Sequence, residues 1–90
     1  MNKYLVEFLG SMLLVFVIFA TGNWAAIGAA LAIALLLGGK ISGGAFNPAV
    51  AISLYSAGKL AKADLIPYII VEILGGLAAF FVYKKYVIKQ

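Results

Sequence analysis

The chain has 90 residues, 66% of them hydrophobic and 11% charged, a balance that excludes an ordinary water-soluble domain and points to a membrane protein. It contains no His and no Cys, so imidazole catalysis, Cys/His zinc sites and disulfides are excluded from within the chain. The net charge of +4 comes from lysines at both ends and in the loops of an oily sequence, a pattern for membrane-interface anchors rather than for nucleic acid.

Tyr4 to Thr21 is predicted as the first span. Its only charge is Glu7, and at about 1.5 Å per residue it covers most of a hydrocarbon core of roughly 30 Å. A signal peptide, with Lys3 as basic region and Phe8 to Ala20 as apolar region, is disfavoured. Glu7 is atypical there, and removal would deplete the membrane domain. Thr21-Gly22-Asn23 reads as a tight, uncharged turn. Trp24 to Leu37 is the second span, with Trp24 as an interface anchor. Its small residues Ala25, Gly28, Ala29 and Ala32 suggest a face for close helix approach.

Residues 38 to 58 break the pattern. Gly38, Gly39, Gly43 and Gly44 favour irregular backbone. Asn47 is a good N-cap, and Pro48 suits the first helical position, where its missing N–H costs nothing. The run Ala49 to Ala57 is apolar except for Ser53, Tyr55 and Ser56, and Gly58 can end it. The expectation is a half-helix too short to cross a bilayer, entered through a loop at membrane depth. Irregular backbone is tolerated there only where protein buries it or it lines a watery cavity. After a polar stretch, Gly58 to Asp64, Leu65 to Tyr83 is the third span, with Pro67 in its first turn and Gly75-Gly76 at its middle. Lys84, Lys85 and Lys89 close the chain outside the membrane. The predicted class is an all-α membrane protein of three transmembrane helices and one re-entrant half-helix. It forms a single unit over 1–90, integral to the membrane and multi-pass.

The half-helix carries chemistry of its own. Its N-terminus presents about half a positive charge and unpaired N–H groups, which disfavour a passing cation, a hydrated proton included. Asn47 can cap with its oxygen and offer its NH2 to water or a hydroxyl. Backbone carbonyls from Gly39, Lys40, Ile41, Ser42, Gly43, Gly44 and Ala45 would be acceptors on an oily wall. Central donors with acceptors alongside suit small neutral hydroxylic solutes.

Tyr4-Leu5-Val6-Glu7-Phe8-Leu9-Gly10, then Gly39-Lys40-Ile41-Ser42-Gly43-Gly44-Ala45-Phe46-Asn47-Pro48-Ala49-Val50, then Tyr68-Ile69-Ile70-Val71-Glu72-Ile73-Leu74-Gly75-Gly76 resemble the first helix, pore loop and third helix of one half of an aquaporin (major intrinsic protein family). The resemblance covers nearly the whole chain. It implies the fold of one aquaporin half, with Asn47, Pro48 and Ala49 as the Asn-Pro-Ala pore motif. It also implies a selectivity filter at Ile27, Leu35, Gly44 and Val50, and Glu7 and Glu72 as acceptors that hold the loop. This chain departs from the family in carrying Glu72 where Gln is frequent, Lys40 where His is common, and Val50 where Arg often follows one Asn-Pro-Ala. Lys40 reads equally as a mouth-lining cation or as a snorkelling interface residue.

Family members carry two such halves in inverted orientation, and this chain shows one. The expectation is an antiparallel homodimer, with a tetramer of dimers (eight chains) as the larger assembly. Each mouth would take Ile27 from one chain and Leu35, Gly44 and Val50 from the other, giving two identical apolar filters. Lys3, Lys40, Lys59 and Lys62 fall on one side, and Lys84, Lys85 and Lys89 on the other, a weak bias under the positive-inside rule. The leading reading is a passive channel for water, with small neutral solutes such as glycerol as further candidates. The implied partners are membrane lipid, the permeating solute and a second half-unit. No cofactor, metal or nucleic acid is implied. One alternative is a small dual-topology ion- or proton-coupled transporter using Glu7 or Glu72, since intramembrane carboxylates are functional candidates by default. Another is a non-conducting subunit or fragment that joins other aquaporin halves. An enzyme is disfavoured, as neither a nucleophile–base pair nor a metal cluster is visible.

Overall fold

Three asparagines set where three of the helices begin. In the computed structural model, which describes residues 1–88, Asn2, Asn23 and Asn47 each stand in extended backbone just ahead of a helix. Their side-chain oxygens accept from the N–H groups of Tyr4 and Leu5, of Ala26 and of Ala49, satisfying donors that a helix start leaves open. The helices so opened are α1 (Lys3–Thr21), α2 (Trp24–Ser42) and α3 (Pro48–Ser56). α4 (Lys62–Val82) follows Ala61 without a side-chain cap and passes into a π-helical turn, Tyr83–Val87.

α1, α2 and α4 with its closing turn are long and apolar enough to cross a membrane, and α3, at nine residues, is not. The all-α class with three spans and one half-helix is therefore what the molecule adopts. Lys84 and Lys85 lie on the exposed closing turn, whereas Lys89 is outside the described residues.

Two boundaries differ from the sequence reading. α2 continues past Leu37 to Ser42, because Gly38 and Gly39 are accommodated in the helix and the break comes at Gly43. Gly43 takes φ 88° and caps the helix by donating its N–H to the Gly39 carbonyl at 2.8 Å. α4 begins at Lys62, three residues earlier than expected, so Pro67 sits inside the helix rather than in its first turn. The irregular loop shrinks to Gly43–Asn47.

α1 is the centre of the bundle. It packs against α4 along most of its length and against α2, while α3 rests on α4. The seams are stripes of small residues. On α2 the buried positions are Ala30, Ala34, Gly38 and Ser42, four apart, so one line of the helix meets α1. The other small-residue face of α2, with Ala25, Gly28, Ala29 and Ala32, is exposed in the single unit. On α4, Gly75 is buried against α1, where a methyl group would run into the Phe8 carbonyl and the Ser11 side chain.

The two ends of the α1–α4 seam differ in chemistry. At one, Lys3 Nζ and Tyr4 OH both donate to Asp64, at 2.8 and 2.7 Å, and Tyr4 meets Tyr68 edge-on. At the other, Phe19 stacks on Tyr83 and packs against Phe80. These aromatics thus pack within the chain as well as facing lipid.

Candidate functional site: the anchored loop and the half-helix

Glu7, on the second turn of α1, is fully buried and reaches across to the loop. Its Oε1 accepts from the Phe46 N–H at 2.8 Å, and its Oε2 from the Ser42 hydroxyl at 2.6 Å. Ser42 in turn accepts from the Gly44 N–H at 3.1 Å, so one carboxyl group organises the end of α2 and the loop that follows. Two further hydroxyls close the set. Ser11 donates to the Phe46 carbonyl at 3.0 Å, and Tyr68 on α4 donates to the Ser42 carbonyl at 2.6 Å. The side of the loop that faces α1 and α4 thus has its polar groups paired with protein.

Phe46 is the residue on which these contacts converge. Its φ of 55° is in the left-handed region, costly for a bulky side chain. Three contacts hold it there: its N–H on Glu7, its carbonyl on Ser11, and its ring against Gly10. A Cβ added at Gly10 would overlap that ring. The ring is 3% exposed and joins Val6 and Ala34 in an apolar cluster. Phe46, Ser11, Tyr68, Gly10 and Gly38 were not singled out as site residues from the sequence. The signal for Ser11 and Tyr68 was present as polar groups inside apolar spans, but their partners lie 35 and 26 residues away.

The loop delivers Asn47 to the start of α3. Its Oδ1 accepts from the Ala49 N–H at 2.7 Å, which leaves the side-chain NH2 as a donor on an exposed residue. Pro48 occupies the first helical position. Ala51 is buried, and with Ala45 and Tyr68 it forms the cluster that seats α3 on α4. The side of α3 turned away from Ala51, with Ala49, Ser53 and Ser56, is exposed, and Val50, Ile52 and Tyr55 on its flanks are exposed as well.

The carbonyl ladder expected from Gly39 to Ala45 is shorter in the structure. Gly39, Lys40, Ile41 and Ser42 are helical, and helical carbonyls point along the axis rather than sideways. The Gly39 carbonyl is taken by Gly43, and the Ser42 carbonyl is buried against Tyr68. Gly43, Gly44 and Ala45 remain outside the helical ladder, with Gly43 exposed and Ala45 buried. Lys40 is exposed in the last turn of α2, where a cation meets the negative end of the helix.

Of the four filter positions, the structure brings together Leu35 and Gly44. Gly44 has φ 71°, and a Cβ there would strike the Leu35 side chain. Ile27 lies eight residues earlier on α2, on the order of 12 Å along the axis from Leu35. Val50 belongs to a separate open hollow of about 410 Å³ with Ala49, Ser53, Leu54, Ala57 and Lys59. Glu72, expected beside Glu7 as a second acceptor for the loop, is 3% exposed, and neither of its oxygens meets a donor. The direct contacts with the loop's donors are made by Glu7.

The profile of the major intrinsic proteins matches residues 1–90. The chain belongs to the major intrinsic protein family. Among its relatives, a glycerol uptake facilitator protein-like 6 of Lactiplantibacillus plantarum is 42% identical over 96 residues, covering 97% of this chain and 44% of that protein. Aquaporin Z of Brucella melitensis is 41% identical over 98 residues, covering 88% of this chain and 41% of the relative. Aquaporin AqpM of Methanothermobacter thermautotrophicus is 42% identical over 68 residues, covering 71% of this chain and 28% of the relative. The chain thus spans less than half the length of the relatives it matches. No solved structure gives a significant match. Family membership and three spans make it an integral, multi-pass membrane protein.

Proposed function

We propose that this member of the major intrinsic protein family is one half of a passive pore for water and small neutral solutes such as glycerol, completed by a second half-unit. The observation that carries the reading is the state of α3: a half-helix with its capped N-terminus exposed at Asn47 and its Val50 face uncovered. Inside a membrane, a polar helix start open on one side calls for a watery space or a second polar surface. An inverted copy would supply the matching half-helix and enclose that space, as the inverted repeats of membrane transporters do. The relatives named aquaporin and glycerol uptake facilitator favour water and glycerol as permeants.

In this reading the Asn47 NH2 donates to a passing oxygen, the α3 dipole repels cations, and the carbonyls of Gly43 and Gly44 accept from the same file of molecules. The filter at Ile27, Leu35, Gly44 and Val50 contributes no side-chain hydrogen bond and selects by size. The partner half is a second copy in the opposite orientation, with eight chains as the full assembly. Glu7 supports the loop and does not couple ions, because both of its oxygens are committed to loop donors.

The test is stopped-flow swelling of liposomes reconstituted with the purified chain, first in a water gradient and then in a glycerol gradient. Rates above empty liposomes for both, without accumulation against a gradient, are expected. Rates equal to empty liposomes from correctly inserted protein would overturn the reading. C-terminal reporter fusions active on both sides of the membrane are expected for inverted pairing. A reporter active on one side only, in a conducting protein, would exclude the homodimer.

A further inference from the structure

Glu72 poses a question that the loop anchor does not answer. It is 3% exposed, ten residues into α4, and neither carboxyl oxygen meets an N–H or O–H donor of another side chain or backbone group. Across the α1–α4 seam it lies between Tyr68, which meets Tyr4, and Gly75, which meets Phe8 and Ser11, a register that sets it against the buried Glu7 carboxyl group. Two carboxyl groups packed together away from water cannot both be ionised without a cation between them.

Among the described residues, the chain supplies no such cation inside the bundle. The sequence places no Lys between residues 4 and 39 or between 63 and 83, and it contains no Arg or His. At the near end of the seam, Lys3 is bound to Asp64, and Lys40 is exposed on the last turn of α2. The remaining titratable neighbour is Tyr68, whose hydroxyl is committed to the Ser42 carbonyl. A proton is the one counter-charge left.

The geometry also says which residue holds it. Glu7 accepts at both oxygens, and its 2.6 Å contact with the Ser42 hydroxyl has the length of an O–H donor meeting a charged acceptor. Both Glu7 oxygens are thus in use as acceptors, and Glu72 is the group free to donate. We propose that Glu72 is a proton-binding site: a neutral carboxylic acid whose O–H donates to the Glu7 carboxylate, so that α4 clamps the residue that holds the loop. Glu72 is a positioning residue, acting on the loop through Glu7. A protonated carboxyl group and a primary amide are close in shape and both donate, so Gln can replace Glu72 in this role, whereas Met fills the space without donating.

Infrared spectroscopy of the purified protein in liposomes at neutral pH tests the assignment, with E72Q and E72M compared alongside the wild type. The expected result is a protonated-carboxyl C=O band in the wild type that shifts in D2O and is missing from E72Q. E72Q should melt within about 2 °C of the wild type, and E72M about 5 °C or more below it. A wild-type spectrum without the band shows Glu72 ionised and overturns the proposal. So does an E72Q that melts as low as E72M or fails to fold, since an amide donor would then not stand in for the acid. Spectrum and melting both report on the proton whether or not the protein conducts, so failure here is distinguishable from failure of the pore reading.

Discussion

The two sides of the Gly43–Asn47 loop are built to opposite rules. On the side facing α1 and α4, the polar groups of the loop are paired: Phe46 N–H with Glu7, Phe46 carbonyl with Ser11, Ser42 hydroxyl with Glu7, Ser42 carbonyl with Tyr68. On the side facing away, Asn47 is exposed, and so are Ala49, Val50, Ser53 and Ser56 along α3. The first arrangement fixes backbone where it stands; the second presents a donor and an apolar wall to whatever comes next. A pore wall needs both, since a donor aimed at a permeating molecule is useful only if it does not move.

The sharpest way to break this contrast is to empty the anchor. Glu7→Ala leaves the buried Phe46 N–H without an acceptor and the Ser42 hydroxyl with only its 3.4 Å contact to the Gly38 carbonyl, a loss of roughly 3 kcal/mol. The expected outcome is a large drop in thermal stability and in the amount of folded protein recovered from membranes. A loss below about 1 kcal/mol would mean that the loop is held mainly by the packing of Phe46.

Crowding the same side is next in size. Gly10→Val pushes a branched side chain into the space of the Phe46 ring, and overpacking of this kind costs roughly 1–3 kcal/mol. Gly28, exposed on the free face of α2, has nothing within 4 Å of an added Cβ. Gly28→Ala should leave the isolated unit as stable as the wild type, or more so, by up to about 1 kcal/mol. Thermal melts of the two variants side by side test whether close packing is confined to the anchored side. Equal destabilisation by both would remove the distinction.

The contrast also explains what could be read from the sequence. The exposed side was legible because its signals are local: Asn47 followed by Pro48 is a helix start that any neighbour of a few residues reveals, and α3 begins there. The spans were legible from apolar length alone. The anchored side was legible only in part. Glu7 stood out as a carboxylate in a span, but its partners Ser42 and Phe46 are 35 and 39 residues away. The end of α2 was misplaced because Gly38 and Gly39 look like helix breakers. In the fold, Gly38 is the residue whose missing side chain makes room for Val6, so it belongs to a helix seam. Small residues line two sides of α2, with Ala30, Ala34 and Gly38 buried and Ala25, Gly28, Ala29 and Ala32 exposed in the single unit, and periodicity alone does not say which side meets α1.

On the open side, Asn47→Ala should cost about 1 kcal/mol for the lost cap. It also removes the NH2 donor, so water permeation should fall further than stability does. Asn47→Asp keeps an acceptor for the Ala49 N–H but replaces the donor by a carboxylate, which should weaken cation exclusion at the α3 N-terminus. Swelling rates and cation leak at matched membrane abundance measure the two effects separately. Unchanged rates for both variants would place Asn47 outside the conduction path and make it a cap only.

The smallest expected effect on stability is at Val50, which is 40% exposed on the first turn of α3 and contributes little to packing within the unit. Val50→Arg should therefore fold as an isolated unit with almost no change in melting temperature. Its larger consequence would lie in the proposed pore. Two inverted copies would carry one new cation near each mouth, in a filter otherwise lined by Ile27, Leu35 and Gly44. Each guanidinium is costly at membrane depth unless carbonyl groups receive it, and the candidates are the carbonyls of Gly43 and Gly44 on the loop that leads into α3. An arginine held there narrows the path and adds donors, which favours a single small hydroxylic molecule over a carbon-backed polyol. Glycerol conduction should fall more than water conduction, measured as the ratio of the two swelling rates. A ratio unchanged from the wild type, in protein shown to be assembled, would mean that Val50 lines the outer face of the unit and that selectivity is set elsewhere.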